Sequence, residues 1–289
     1  GKPADVSDAD SRDHDVLIIG GGVIGLCCGW SLARAGRTVT ILDRHPTRRE
    51  SCSDENAGMV VPSHFIPLAA PGVIAQGLKW MLNPKSPFYL RPRLDPALWS
   101  WCWQFFRHAN ARHVEETKQL LADFSLESRR LFLEWAEELQ FDLTTRGLML
   151  LCRTAAGLED EAKVAALAAA VGVKAEVCDA ARVRELDPDA QMDVAGAVWF
   201  AQDCHLDPLD FLEALRTAIR AKGGRFLEGE CAEFNRQGDR LTGIRTTAGE
   251  TLNAEHVILA GGAWTPELTR QLSLRIPMQG GKGYSLTLR

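Results

Sequence analysis

Three glycines and one aspartate carry the clearest chemistry in this sequence. Gly20, Gly22 and Gly25 stand in G-x-G-x-x-G spacing inside "DVLIIGGGVIGLCCGWSLARAGRTVTILDRH". Each has a separate task. Gly20 permits a tight turn, Gly22 lets the backbone approach a pyrophosphate, and Gly25 lets a helix pack closely on a strand. The helix N-terminus at that turn offers unpaired N–H groups and a positive dipole end to a diphosphate. Asp43 follows about 20 residues later, where a carboxylate accepts hydrogen bonds from both hydroxyls of a ribose. The same acid disfavours a 2′-phosphate, so NADP is disfavoured and NAD and FAD remain.

The elements that must position these residues are legible around them. An apolar run at 15–19 predicts a strand buried on both faces. A helix over 23–35 follows, stopped by Gly36. A second strand runs over 38–42 and ends at Asp43. Much later, "LDPLDFLEALRTAIRAKGGRFLEGECAEF" predicts a helix with Asp207 at its N-cap and Pro208 at its first position, ended by Gly223-Gly224. A strand at 225–227 comes next. A hairpin-like pair and a terminal strand over 256–260 then lead into Gly261, Gly262, Ala263 and Trp264. A glycine pair at the carboxyl end of an apolar strand admits a ligand closely, which implies a second grip on the cofactor. A plain strand-to-helix turn is the alternative.

Between these parts the pattern changes. Residues 62–96 are proline-rich and read as loops around one short helix, "GVIAQGLKWML". Helical text follows: "LWSWCWQFF" gathers Trp99, Trp101, Trp103, Phe105 and Phe106, and the stretch over 114–139 keeps a 3.6-residue period. A strand over 146–154, a helix over 157–172 and a strand over 196–204 come next. This block does not continue a doubly wound sheet, so an inserted substrate domain is expected. The tryptophans have two readings, the packed core of an amphipathic helix or a surface for membrane or quinone contact, and the core is the expectation. The helix near 73–82, with Lys79, either lies on a membrane or covers a site.

Composition excludes some classes. A net charge of −5 over 289 residues gives no general affinity for nucleic acid. No apolar run reaches the roughly 18 residues of a membrane span. The polar residues 1–13 read as a flexible tail without the apolar core of a secretory signal. Eight cysteines without a C-x-x-C pair are expected as free thiols in a reducing compartment, which gives a cytoplasmic address. The histidines lack H-E-x-x-H spacing, and His108 and His113, five apart, do not share a helix face, so no metal is expected.

Several stretches together carry a family resemblance: "VLIIGGGVIGLCCGWSLARAGRTVTILDR", "SCSDENAGMVVPSHFIPLAAPGVIAQGLKWM", "DPLDFLEALRTAIRAKGGRF", "LTGIRTT", "HVILAGGAW" and "IPMQGGKGYSLTL". In this order, over nearly the whole chain, they resemble the FAD-dependent D-amino-acid oxidase superfamily. Within it they are most similar to the bacterial D-amino-acid dehydrogenases. The resemblance implies an α/β fold: a Rossmann-like FAD-binding domain of the glutathione-reductase type, with an inserted α+β substrate domain. The expected boundaries are 14–86 and 205–276 for the FAD-binding domain, and 87–204 and 277–289 for the substrate domain. Members of the family continue past "KGYSLT", so the substrate domain is expected to be incomplete here. The missing part is expected to hold the arginine that binds the substrate carboxylate.

The resemblance also implies roles. Gly20, Gly22 and Gly25 would hold the FAD pyrophosphate. Asp43, with Arg44 beside it, would bind the adenosine ribose. Ser53, Asn56, Ala57 and Gly58 would run beside the pyrophosphate and flavin ring, where larger side chains would collide; this loop is the best sign of FAD and not NAD. Ala232 would meet the adenine through its backbone. Ala260, Gly261 and Trp264 would form the second grip, and Lys282 and Tyr284 would lie where the chain leaves the flavin. The implied reaction is oxidation of a D-amino acid to a 2-oxo acid and ammonia, with electrons passed to a quinone or another acceptor that is not oxygen. Peripheral contact with the inner face of the cell membrane is part of that expectation. His64 and Tyr284 are the catalytic candidates. His64 is expected as a hydrogen-bonded structural histidine, and Tyr284 either touches substrate or packs on the flavin domain. The rivals are an oxygen-using glycine or sarcosine type oxidase, a D-proline or hydroxyproline dehydrogenase, and a non-catalytic flavin-binding subunit.

Overall fold

The computed structural model describes residues 14–46, 51–83, 85–86, 88–91 and 93–284. The expected tail at 1–13, the prolines at 84, 87 and 92, and the expected last strand beyond Tyr284 lie outside the described residues.

The elements run in chain order as follows. The first are β1 (His14–Ile19), α1 (Val23–Arg34), β2 (Val39–Asp43), β3 (Met59–Val60), α2 (Val73–Met81), α3 (Pro96–His108) and α4 (Ala111–Leu139). Next come β4 (Leu143–Thr144), β5 (Leu148–Cys152), α5 (Ala155–Ala170), β6 (Ala175–Asp179), α6 (Ala180–Leu186), β7 (Gly196–Phe200) and β8 (Cys204–Leu206). The last are α7 (Pro208–Ala221), β9 (Arg225–Glu228), β10 (Cys231–Gln237), β11 (Arg240–Thr246), β12 (Thr251–Leu259) and α8 (Thr265–Gln271), with a short 3-10 turn at Gly262–Trp264.

The chain divides into two units, one of residues 1–56 and 208–289, the other of 57–207. These cuts differ from the boundaries expected above; residues 57–86 cluster with the second unit. The reason is local: β3 pairs with β8, and Phe65 is fully buried among Ala122, Val198 and Phe200.

The first unit is built on a six-stranded sheet of order β10-β11-β12-β1-β2-β9. β12, β1, β2 and β9 run parallel, while β10, β11 and β12 form an antiparallel meander. One strand serves both patterns. The text over 256–260, expected as a separate strand, is the end of the nine-residue β12. Its first half pairs with β11 and its second with β1. "TLNAEHVIL" contains neither the glycine nor the proline that would break it.

β1 is buried on both faces, as its unbroken apolar run requires. Leu17 and Ile19 pack with Leu42, Ile244 and Leu252. On the opposite face Gly29 of α1 lies so close that an added Cβ would stand 3.0 Å from Ile41 Cδ1 and 3.2 Å from Ile219 Cδ1 of α7. Both helices end alike: Gly36 and Gly223 take a left-handed φ of +83°, and the next residue donates back five positions, Arg37 to Leu32 and Gly224 to Ile219.

The second unit holds two three-stranded sheets, β3-β8-β4 and β5-β7-β6, with α2 to α6. The single strand expected over 196–204 is two, in different sheets. The chain turns between them, where Asp203 N donates to Phe200 O, and the Asp203 carboxylate is drawn to Ser63.

One further expectation is corrected here. α3 buries only Leu98, and Trp99, Trp103 and Phe106 stand 56%, 60% and 57% exposed. A 3.6-residue period marks an apolar face but not what covers it. The rings of His108 and His113 lie 5.1 Å apart, edge to face. They sit on successive helices, α3 and α4, and share no helix face.

Candidate functional site

The carboxyl ends of β1, β2, β9 and β12 are stitched together by backbone. Gly20 N donates to Leu42 O at 2.9 Å, Ala260 N to Ile19 O at 2.8 Å, and Gly229 N to Asp43 O at 2.9 Å. Open parallel sheets bind ligands at this edge. Two glycines are forced by the packing. Gly20 has φ +110°, and a Cβ there would stand 2.3 Å from Ala260 O. A Cβ on Gly25 would stand 1.9 Å from Gly20 O. Gly22 has more room, its nearest neighbour being Ser53 Oγ at 3.1 Å from an added Cβ.

Gly22 is also the N-cap of α1, with no side chain to offer. The missing cap comes from Ser53, whose Oγ accepts from Val23 N at 2.9 Å. The amides of Gly22, Ile24 and Gly25 keep no acceptor among the described residues, so the positive end of α1 is open to an anion.

Asp43 is locked in place. Its Oδ2 accepts from Gly21 N at 2.6 Å and its Oδ1 from His45 N at 2.8 Å. A carboxylate has about four acceptor positions, so two remain for ribose hydroxyls. The residues thus suit an adenine dinucleotide: a cradle closed to a Cβ at Gly20 and Gly25, an open helix end and a fixed acceptor for a ribose.

The loop that carries Ser53 is stiffened from within. Asp54 Oδ2 accepts from both the amide and hydroxyl of Ser51, at 2.9 and 2.7 Å. Asn56 Nδ2 donates to Ser53 O at 2.7 Å. Ala57 and Gly58 fall in the second unit, where Gly58 O accepts from Leu206 N at 3.0 Å.

At the second glycine pair, Gly262 has φ +54° while Gly261 has an ordinary −74°. The left-handed requirement therefore rests on Gly262. Trp264 is 52% exposed and carries the Arg44 guanidinium 5.4 Å from its ring centroid. Ala232 lies in β10, with its carbonyl accepting from Gln271 Nε2 at 3.0 Å.

The two catalytic candidates are placed differently. His64, expected as a hydrogen-bonded structural residue, is exposed and its ring makes no hydrogen bond among the described residues. Its neighbours Ser63 and Phe65 are both buried, which turns the intervening side chain outward. Tyr284 is exposed, with Lys282 Nζ 5.0 Å from its ring centroid.

Two acids escaped the sequence reading. Asp203 is fully buried and takes both the amide and hydroxyl of Ser63, at 3.1 and 2.6 Å. Burial pushes its carboxyl above the usual range, and the two Ser63 bonds, with His64 and Arg129 nearby, oppose that. Glu230 accepts from Arg44 Nη2 at 2.6 Å across 186 residues. Neither contact leaves a local signature in the sequence.

Among the described residues no group of three or more potential ligands is arranged to hold a metal ion, and no helix is long and apolar enough to cross a membrane.

Comparison with known proteins places this geometry. The family of FAD dependent oxidoreductases matches residues 15–289. The D-amino acid dehydrogenase of Granulibacter bethesdensis is 33% identical over 279 residues, covering 94% of this chain and 66% of that protein. The D-amino acid dehydrogenase of a Methylobacterium species is 33% identical over 287 residues, with 94% and 66% coverage. The chain thus spans about 66% of the length of these curated relatives. Among solved structures, glycine oxidase from Geobacillus kaustophilus matches with a TM-score of 0.64 at 23% identity, over 91% of this chain and 59% of that one. The chain belongs to the FAD dependent oxidoreductase family, whose cofactor is FAD.

Proposed function

We propose that the whole protein to which this chain belongs oxidises D-amino acids to 2-oxo acids and ammonia, with FAD as its cofactor. The observation that carries this reading is the continuous similarity to D-amino acid dehydrogenases over 94% of the chain, joined to a sheet edge built for a dinucleotide. The likeness to glycine oxidase supports the fold alone. The first unit is proposed to hold FAD and the second to belong to the substrate side.

The chemistry supplied by bound FAD is acceptance of a hydride from the substrate Cα at its N5 atom. The chain's own residues do the holding. Gly20, Gly22 and Gly25 let the backbone meet the pyrophosphate, and the open amides of α1 oppose its charge. Asp43 takes the ribose, with Arg44 beside it. Ser53 and Asn56, followed by Ala57 and Gly58, keep the next loop small and rigid. Ala232, Ala260, Gly261 and Trp264 complete the grip. The substrate amine must be neutral when hydride leaves Cα, so its proton goes first, to solvent or to a nearby base.

Electrons are proposed to pass to a quinone or another acceptor that is not oxygen. The surface of residues 73–108 supports a membrane-side location at the cytoplasmic face. It exposes Trp80, Leu82, Tyr89, Leu94, Trp99 and Trp103. It also carries five cations, Lys79, Lys85, Arg91, Arg93 and Arg107, against the single acid Asp95, in a chain whose net charge is −5. Basic and aromatic side chains together suit an anionic bilayer surface.

Anaerobic bleaching of the flavin in the full-length protein tests the reading. D-amino acids should reduce it and L-enantiomers should not; a flavin that no amino acid reduces would sink it. Stoichiometric hydrogen peroxide in air would replace the dehydrogenase by an oxidase. Anionic vesicles should retain the protein, and Trp99→Ala with Trp103→Ala should release it.

A further inference from the structure

Arg44 follows Asp43 at the end of β2, and its guanidinium is held on two sides. Nη2 donates to Glu230 Oε1 at 2.6 Å, and Cζ lies over Trp264, 5.4 Å from the ring centroid. The three residues come from three separate segments: the end of β2, the turn between β9 and β10, and the 3-10 turn after β12. Each segment is fixed by backbone. Gly229 N donates to Asp43 O, Thr247 N to Glu230 O, and Trp264 N to Gly261 O.

Stability does not account for this arrangement. Both partners of the ion pair are about half exposed, at 46% and 48%, and such pairs add little to the fold. What the pair does is remove freedom. An arginine side chain samples many rotamers, and a carboxylate at one edge with an indole below leaves it one plane. The result is a flat cationic plate backed by an aromatic ring, next to the carboxylate that suits a ribose. An aromatic heterocycle is the ligand such a plate recognises, by stacking and cation–π attraction.

We propose that Glu230 is a positioning residue for the adenosine half of FAD: it fixes Arg44 against Trp264, and that plate receives the adenine beside Asp43. The proposal rests on the reading of FAD as cofactor.

The test uses the full-length protein stripped of flavin and titrated with FAD and with ADP, which carries the adenosine half alone. Trp emission and flavin quenching report binding. Glu230→Ala should weaken both ligands roughly five- to tenfold, the scale of the side-chain freedom that Arg44 regains. The melting temperature of the ligand-free protein should move by no more than about 2 °C, as for an exposed pair. Glu230→Asp should recover part of the affinity. Arg44→Ala should match Glu230→Ala, and the double variant should be no worse than Arg44→Ala alone. The proposal is overturned if Glu230→Ala binds FAD and ADP within twofold of the parent, or if affinity and ligand-free melting temperature fall together. A parent protein that binds neither ligand would instead overturn the FAD reading, and this proposal with it.

Discussion

The hydroxyl of Ser53 accepts a hydrogen bond from the amide of Val23, 2.9 Å away and 30 residues earlier. A helix usually receives this bond from its own N-cap residue. Gly22 cannot supply it, because it has no side chain. The cap has been moved to a neighbouring loop, so α1 gains an acceptor and still leaves its axis open.

Ser53→Ala should therefore lower stability by about 1 kcal/mol, the usual value of a lost cap. It should also weaken FAD binding, because the loop loses its tie to the helix. Thermal melting and flavin titration measure the two effects. Ser53→Thr should retain most of both.

Asp43→Ala should raise the dissociation constant for FAD at least tenfold. It removes the proposed ribose acceptor and also the partner of Gly21 N and His45 N. Each bond to a charged acceptor contributes about 1.5–3 kcal/mol. Unchanged flavin affinity would remove Asp43 from the site.

Gly25→Ala and Gly36→Ala separate packing from conformation. At Gly25 a Cβ would stand 1.9 Å from Gly20 O, so strand and helix must part. At Gly36 nothing lies within 4 Å of an added Cβ, and the penalty is that of a left-handed φ of +83°. Gly36→Ala should fold with a loss of about 1–2 kcal/mol. Gly25→Ala should fail to yield flavin-loaded protein.

Much of this was legible beforehand because its causes are local. The β1–α1–β2 unit is announced by an unbroken apolar run, by glycine spacing and by a helix stop at Gly36, all within 30 residues. Helix α4 is announced by its period and α7 by its capping residues. What was not legible joins distant positions. Ser63 and Asp203 are 140 residues apart, and Arg44 and Glu230 are 186 apart. The break between β7 and β8 follows from the first of these pairs, and sequence alternation alone did not show it. The outward tryptophans of α3 fail for another reason: apolar periodicity states that a face wants cover without naming the cover.

Asp203 should make stability depend on pH in a defined direction. Its folded carboxyl titrates above the ordinary 3.8, chiefly because burial disfavours the charge. The folded state therefore binds this proton more tightly than the unfolded one. That contribution is full below 3.8 and is lost as pH rises through the raised folded value. Asp203→Asn should flatten this slope in urea denaturation across a pH series. Asp203→Ala, which leaves the Ser63 amide and hydroxyl buried without an acceptor, should destabilise by roughly 2–4 kcal/mol.

Thiol labelling should follow exposure and burial. Burial pushes the Cys27 thiol up to about 12 and the Cys231 thiol up to about 11. Cys52 is exposed. In the native protein at pH 8, iodoacetamide should modify Cys52 first and leave Cys27 and Cys231 unmodified, as mass spectrometry of the digest would show.

β12 imposes an order on the making of this protein. Its partner is the first strand, with Ile19 beside Leu259, about 240 positions later. A nascent chain emerging from the ribosome carries its glycine loop from the outset, with one wall absent. The carbonyl of Ala260, against which Gly20 closes, is synthesised about 240 residues after that glycine. Until then β1 presents an unpaired apolar edge, which is a point of risk for association between growing chains. A slow, non-local closure therefore sets the earliest moment at which the glycine loop is complete.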